Sequence, residues 1–348
     1  MKKYWKRLNV YAKRTNFNMT SERSAFMKKV LLLGANGGTG KYFVDYFCEQ
    51  NPEDVQLIGV GRHHCDFVES KIDYILADIT KKEDVKKLPK DVYSVVLLAG
   101  AMPARMKGYD PEQYINTNIV GVFNILEYCV KNHVDRILFT QSFGDIKDKA
   151  EKELVLTPDM SPEFRYDTDH SVYVVSKNTA VELIKCYHAI HNLKAFIFRL
   201  PTVYSWSSND SYYVDGVLRK RAWRLLIDKA INGEDIEVWG DSTRVKDMVY
   251  VKDFCQMLYK ACFVDRDFGY YNVGTGGGTS LFDQIKGMID VFGSEEKKSN
   301  MIMRPDKPNA PQYIMSIENA KKELAYIPKY NYFEMLLDMK RERELNRF

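Results

Sequence analysis

The chain has 348 residues, 45% of them hydrophobic, and its 28% charged residues carry both signs and leave a formal net charge of +4. That length supports a large buried core, in one big domain or two smaller ones, and the charge is too mild to imply a nucleic-acid partner. The six cysteines, Cys48, Cys65, Cys129, Cys186, Cys255 and Cys262, form no CxxC pair and no zinc-like spacing, so no metal is expected and a reduced, cytoplasmic location is.

Residues 1–26 stand apart: Lys2, Lys3, Lys6, Arg7, Lys13, Arg14 and Arg23 face the single acid Glu22, with no continuous apolar run of a secretory signal. A flexible basic leader is expected there, with a domain beginning at Met27; an arm touching a membrane or partner is the alternative. From Lys29 onward, short apolar runs alternate with helical spacing. Strands are expected at Val30–Leu33, Val55–Val60, Tyr74–Leu76, Ser94–Leu98, Arg136–Thr140, Ala195–Leu200 and Tyr270–Val273, and helices at Gly40–Glu49, Gly121–Asn132 and Ser176–His191. This alternation predicts an α/β fold, a doubly wound parallel Rossmann sheet. The longest apolar runs are strand-length, far short of the roughly 20 residues of a membrane span.

After Pro201 the regularity breaks. A polar, aromatic stretch from Tyr204 to Tyr213 precedes an expected helix near Val217–Asn232 and a strand near Ile236–Trp239. The reading is therefore two-lobed: residues 27–201, with about 248–276, form a dinucleotide-binding domain, and residues 202–247 and 277–348 form a smaller C-terminal substrate-binding lobe.

The first strand runs into Gly34-Ala35-Asn36-Gly37-Gly38-Thr39-Gly40 and then into an amphipathic helix. Glycines there permit a tight turn, close approach of backbone to a pyrophosphate and packing of the helix on the sheet, while the helix N-terminus offers free N–H groups and a positive dipole end. A purely structural turn is the competing reading, since glycine-rich turns join many strands to helices. Where the second strand ends, Gly61-Arg62 presents a cation rather than the acid typical of NAD binding. Arg62 would pair a 2′-phosphate through two charge-assisted bonds, so NADP is favoured and NAD is possible.

The GxxGxxG spacing, Asp78-Ile79, Leu98-Ala99-Gly100, Asn118-Ile119-Val120-Gly121, Ser142, Tyr173-Val174-Val175-Ser176-Lys177 and Asp247-Met248-Val249-Tyr250-Val251-Lys252-Asp253 occur in order from about Lys28 to Pro328. Together they resemble the extended short-chain dehydrogenase/reductase family, also called the NAD-dependent epimerase/dehydratase family. The resemblance implies that Asn36 and Thr39 of the loop, Asp78 and Ile79 at the adenine, Leu98, Ala99, Gly100, Asn118 and Pro201 line the cofactor. Asn118 is expected to support geometry rather than do chemistry, and an N-cap is the plain alternative for Asp78.

Tyr173 and Lys177, four apart on a helical segment, share one face. A phenol of pKa about 10 is a poor base at neutral pH, and lowering it by roughly 3 units needs about 4 kcal/mol of phenolate stabilisation. Lys177 and the oxidised nicotinamide are the cations to supply it, and the resemblance gives Lys177 the nicotinamide ribose as well. It makes Ser142 the hydroxyl at the reacting oxygen; Thr140 and a simple turn role compete. The segment between Ser142 and Tyr173 looks long, and a substrate loop is expected there.

The family's dehydratases carry an Asp-Glu pair after the hydroxyl position, whereas Phe143-Gly144 stands here, and the related decarboxylases carry a glutamate at Gly144. Epimerisation and carbonyl reduction remain. The first expectation is a sugar-nucleotide epimerase acting by transient hydride transfer. The second is an NADPH-dependent reductase of a keto-sugar or other carbonyl compound, and the third a non-catalytic dinucleotide sensor. Lys246 and Arg304 are expected to meet a diphosphate, with surface solvation as the alternative, and Trp206, Tyr212 and Tyr213 to pack or stack. By resemblance, the helices at Gly121–Asn132 and Ser176–His191 pair two copies into a homodimer.

Overall fold

The computed structural model describes residues 27–214 and 217–348, so the basic leader lies outside the described residues. Seven parallel strands form the central sheet: β1 (Lys28–Leu33), β2 (Val55–Gly61), β3 (Asp73–Leu76), β4 (Ser94–Leu97), β5 (Arg136–Ser142), β6 (Lys194–Leu200) and β7 (Phe268–Asn272). Their order across the sheet is β7-β6-β5-β4-β1-β2-β3, which reverses direction between β1 and β4. A crevice at the carboxyl ends of the strands forms at such a reversal, and ligands of doubly wound sheets bind there.

The sheet is sealed on both faces. Val30 and Leu32 face α1 (Gly38–Gln50) and α5 (Val251–Ala261), while Leu31 and Leu33 face α2 (Val122–Lys131) and α3 (Ser171–His191). All four are fully buried. Each such side chain contributes roughly 1.5–3 kcal/mol, which is why β1 reads as an unbroken apolar run rather than an alternating one. Among the described residues, no helix is long and apolar enough to cross a membrane.

Several boundaries move. β5 extends through Ser142, so this hydroxyl closes the strand instead of following it, and α3 begins at Ser171, which puts Tyr173 in its first turn. The largest revision concerns the helix expected at Val217–Asn232. Val217–Lys220 is a strand paired antiparallel with Ser211–Val214, and α4 spans only Ala222–Asn232. Tyr212, Tyr213 and Val214 opposite Arg219, Leu218 and Val217 form a ladder of bulky cross-strand pairs, and these outweigh the helical preference of Leu218 and Arg219.

The stretch between Ser142 and Tyr173 is an ordered strap. Its strand Val155–Leu156 pairs with Ile314–Met315 from the C-terminal part of the chain, and Ile146, Leu156, Tyr313 and Met315 form a small core of their own. Beneath it Arg199, 2% exposed at the end of β6, donates to Asp145 from Nε (3.0 Å) and Nη2 (2.9 Å), to the Pro158 carbonyl (3.1 Å) and to Asn272 (3.3 Å). Burial raises the Asp145 pKa above its ordinary value despite the guanidinium beside it. Removing one partner of such a pair leaves a buried charge uncompensated. Asp145→Ala is therefore expected to cost about 3–5 kcal/mol in urea unfolding, with much of the loss recovered by the apolar double replacement Asp145→Leu, Arg199→Met.

Candidate active site

The glycines of the first turn have unequal tasks. Gly34 sits at φ +93°, and a Cβ on it would lie 2.7 Å from the Ala99 nitrogen; a Cβ on Gly40 would lie 2.3 Å from the Gly34 carbonyl oxygen. Both are required by the fold itself. Gly38 is different, since a Cβ there meets nothing within 4 Å. Gly37 caps α1 without a side-chain bond, no acidic residue occupies the first turn, and Thr39 lies within that turn. The N-terminal N–H groups and the positive dipole end thus face open space, a cradle that suits a pyrophosphate.

Around this cradle the strand ends converge. Leu98 and Ala99 donate their backbone N–H groups to the Leu33 carbonyl (2.9 and 2.8 Å), which carries the β1–β4 register past the end of β4. Arg62 follows directly on β2, exposed, with no side-chain partner among the described residues. Asn36 reaches the His63 carbonyl at 3.5 Å. Asp78 accepts from the Thr80 N–H (2.9 Å) and hydroxyl (2.8 Å), so it forms its own turn, while Lys81 rather than Asp78 caps the short helix Lys82–Val85. Ile79 is buried against the backbone of Gly121, and Pro201 is buried directly after β6.

Asn118 lies on a wide π-type turn, Ile115–Gly121, that leads into α2. Its amide, 1% exposed, accepts from the Ala101 N–H (2.9 Å) and donates to the Ala101 carbonyl (3.0 Å) and to Ser176 Oγ (3.0 Å). Ser176 in turn donates to the Tyr173 carbonyl at 2.7 Å. The loop after β4, which includes Gly100, is thereby tied to the helix that carries Tyr173 and Lys177.

The Ser142 hydroxyl accepts from the Gly144 N–H at 3.1 Å and hydrogen-bonds the Tyr173 phenol. Burial pushes the Tyr173 pKa up, and the Ser142 contact pulls against it. Lys177 is 6% exposed, its Nζ lies 3.9 Å from the Phe139 ring centroid, and no carboxylate partners it among the described residues. Burial lowers its pKa from 10.5 to about 7. Thr140, the competing hydroxyl, is two residues earlier on β5, one pleat removed from Ser142.

Other expected residues have different settings. Lys246 lies 5.6 and 5.7 Å from the ring centroids of Tyr204 and Tyr313, and Tyr313 packs on Phe143, next to Ser142. Arg304 is held by two carboxylates, Glu237 and Asp306 (2.9 Å from Nε), and no contact joins it to the Ser142 group among the described residues. Trp206 is buried under the Arg224 guanidinium at 3.4 Å, so it packs rather than offering a stacking face. One neighbour escaped the sequence reading: Tyr114, whose ring centroid is 5.7 Å from that of Tyr173. Its position four residues before Asn118 was the available signal.

A parallel sheet with an open glycine cradle, and a Ser-Tyr-Lys group at the same edge, define a dinucleotide-dependent enzyme of the short-chain dehydrogenase/reductase type. Residues 30–274 match the model of the NAD dependent epimerase/dehydratase family, and the chain belongs to that family. A Methanocaldococcus jannaschii relative, provisionally named a UDP-glucose 4-epimerase, is 28% identical over 273 residues, 76% of this chain and 83% of its own. Among solved structures, UDP-glucose 4-epimerase from Thermotoga maritima with UDP-glucose is similar at a TM-score of 0.74 and 20% identity, covering 91% of this chain and 99% of that one. UDP-glucuronic acid 4-epimerase from Bacillus cereus in complex with NAD gives 0.70 and 20%, with the same coverage.

The glycine geometry generates a paired prediction. Gly40→Ala is expected to unfold or displace the first turn, seen as a loss of thermal stability, whereas Gly38→Ala keeps the parent melting temperature and weakens dinucleotide binding at least tenfold. Equal effects of the two substitutions on stability would refute this division of labour.

Proposed function

We propose that the protein is a sugar-nucleotide epimerase that acts by transient hydride transfer, with Ser142, Tyr173 and Lys177 as its proton-handling set. The observation that carries this reading is the contact of Ser142 with Tyr173 at the strand edge next to the glycine cradle, with Lys177 on the same helix buried and without a counter-charge among the described residues. Uridine-diphosphate sugars are the first substrate class to test, because the M. jannaschii, Thermotoga and Bacillus relatives are named for them. The same edge would suit a carbonyl reductase, and the exposed, unpartnered Arg62 favours NADP over NAD in either case.

When bound, the nicotinamide ring supplies the hydride acceptor and donor. Tyr173 takes the proton of the substrate hydroxyl as it is oxidised and returns it on reduction, and Ser142 orients the same oxygen. Lys177 is the group that makes the Tyr173 phenolate accessible. A phenolate on the same helix face restores the ammonium that burial disfavours, so each charge stabilises the other in a dry site. The cradle of Gly34–Gly40, together with Asp78, Ile79, Leu98, Ala99, Gly100, Asn118 and Pro201, would hold the dinucleotide. Lys246 is offered to the substrate diphosphate, with Arg304 the weaker candidate because two carboxylates already occupy it. We place a homodimer interface on α2 and α3, whose exposed Phe123, Val175 and Ile190 leave an apolar surface to cover.

The test begins with the purified, unfolded chain and an assay of any dinucleotide released, followed by titration of the emptied protein with NADP and NAD. An epimerase regenerates its cofactor each turnover and retains it with no net NADPH consumption on UDP-sugars; exchangeable NADPH that is consumed indicates the reductase. Arg62→Ala is expected to weaken NADP at least tenfold relative to NAD, and an unchanged ratio would remove the basis for NADP. Tyr173→Phe is expected to lower turnover by 10²–10⁴ with dinucleotide binding retained.

Lys177 also yields a stability prediction. Its pKa is depressed in the folded state, so the cofactor-free protein gains stability as pH rises from about 7 toward 10.5, and at low pH the buried ammonium weakens the fold most. Lys177→Met is expected to stabilise the empty protein at pH 7 by up to about 4 kcal/mol, to flatten that pH slope and to abolish turnover. Urea unfolding at pH 7 and pH 9 measures both effects.

A further inference from the structure

Beside Tyr114 lies a cavity of about 240 Å³, lined by Pro103, Met106, Gly108, Tyr109, Tyr114, Asp169 and Tyr213. It falls below the roughly 300–1,000 Å³ of pockets that hold a whole ligand, which suits one ring of a larger molecule. Four separate segments build it. The loop after β4 supplies residues 103–109, the turn before Asn118 supplies Tyr114, the residues leading into α3 supply Asp169, and the hairpin strand Ser211–Val214 supplies Tyr213. Tyr114 connects it to the reaction centre, since its ring packs on that of Tyr173.

The lining has a definite chemistry. Three tyrosines offer flat apolar faces for the C–H side of a pyranose and hydroxyls for its oxygens. Burial raises the Tyr114 pKa to about 12, so it remains a protonated donor at neutral pH. Among the described residues lining the cavity, Asp169 carries the only charge. Its carboxylate lies 2.6 Å from His170 Nδ1 and, when ionised, can only accept hydrogen bonds. Arg105 and Lys107 belong to the same loop but do not line the space.

Building on the nucleotide-sugar reading above, we propose that this cavity receives the sugar ring and that Asp169 makes it selective for a neutral or amino-bearing hexose over a hexuronate. A sugar hydroxyl or ammonium donates to Asp169. A carboxylate in the same place faces a like charge against an aromatic wall, with no cation among the described lining residues to offset it. Asp169 acts here as a specificity residue and takes no part in proton transfer.

The test is calorimetric titration of the full-length, dinucleotide-loaded protein and its Asp169→Asn and Tyr213→Ala variants with UDP, UDP-glucose and UDP-glucuronate. The parent is expected to bind UDP-glucose at least tenfold more tightly than UDP-glucuronate. Asp169→Asn should shrink that ratio at least threefold with UDP affinity unchanged, and Tyr213→Ala should weaken both sugars but not UDP. Unchanged dinucleotide binding establishes that the variants are folded. Equal or tighter binding of UDP-glucuronate by the parent, or a ratio that Asp169→Asn leaves alone, overturns the proposal. UDP binding that neither sugar strengthens overturns the cavity assignment and spares the nucleotide reading; no UDP binding at all removes both.

Discussion

The amide of Asn118 is the joint on which the site is built. Its three hydrogen bonds lie in the protein interior and link the loop beyond β4 to the helix of Tyr173 and Lys177 through Ser176. A buried amide loses affinity for any position in which its partners are unmet, because each orphaned group costs about 1–3 kcal/mol. The loop beyond β4 and the helix that carries the proposed proton-handling side chains are therefore held in one fixed relation. The wide turn Ile115–Gly121 serves the same end, since it aims Asn118 inward while α2 continues along the sheet.

A second constraint is electrostatic. Lys177 rests on the Phe139 ring with no carboxylate partner among the described residues, so the fold holds an amine whose charged form is penalised. Such a residue weakens the empty protein and gains its counterpart only when negative charge develops next to it. The strap between Ser142 and Tyr173 is anchored at two points. Arg199 holds it through Asp145, and its strand Val155–Leu156 pairs with Ile314–Met315 of the C-terminal part.

The inner strands β1, β4, β5 and β6 were legible because they are buried on both faces and read as short apolar runs between glycine-rich or polar turns, whereas the edge strand β3 is only partly covered. The proposal for Ser142, Tyr173 and Lys177 rests on their order and their resemblance to a family, not on any single spacing, and the structure brings Ser142 and Tyr173 into contact. The hairpin at Val217–Lys220 was not legible, because Val217-Leu218-Arg219 joins smoothly to the helical pattern of α4, and only cross-strand pairing with Tyr212 and Tyr213 decides its state. Arg304 looked available in sequence. Asp306, two residues on, and Glu237, 67 residues away, together satisfy it, and one-dimensional spacing carries no sign of the second contact. The tyrosine cavity was hidden for the same reason, as its walls come from four stretches of chain.

The measurement that bears most directly on the account is a single-turnover experiment in which the dinucleotide-loaded protein is mixed with a UDP-hexose and the reduced-nicotinamide absorbance is followed in time. Transient hydride transfer to the nicotinamide, with Tyr173 moving the proton, predicts a signal that rises and then decays as the epimer appears, with no net cofactor consumed and no rise in Tyr173→Phe. Epimer formation without any reduced nicotinamide, or an undiminished rise in Tyr173→Phe, would contradict it.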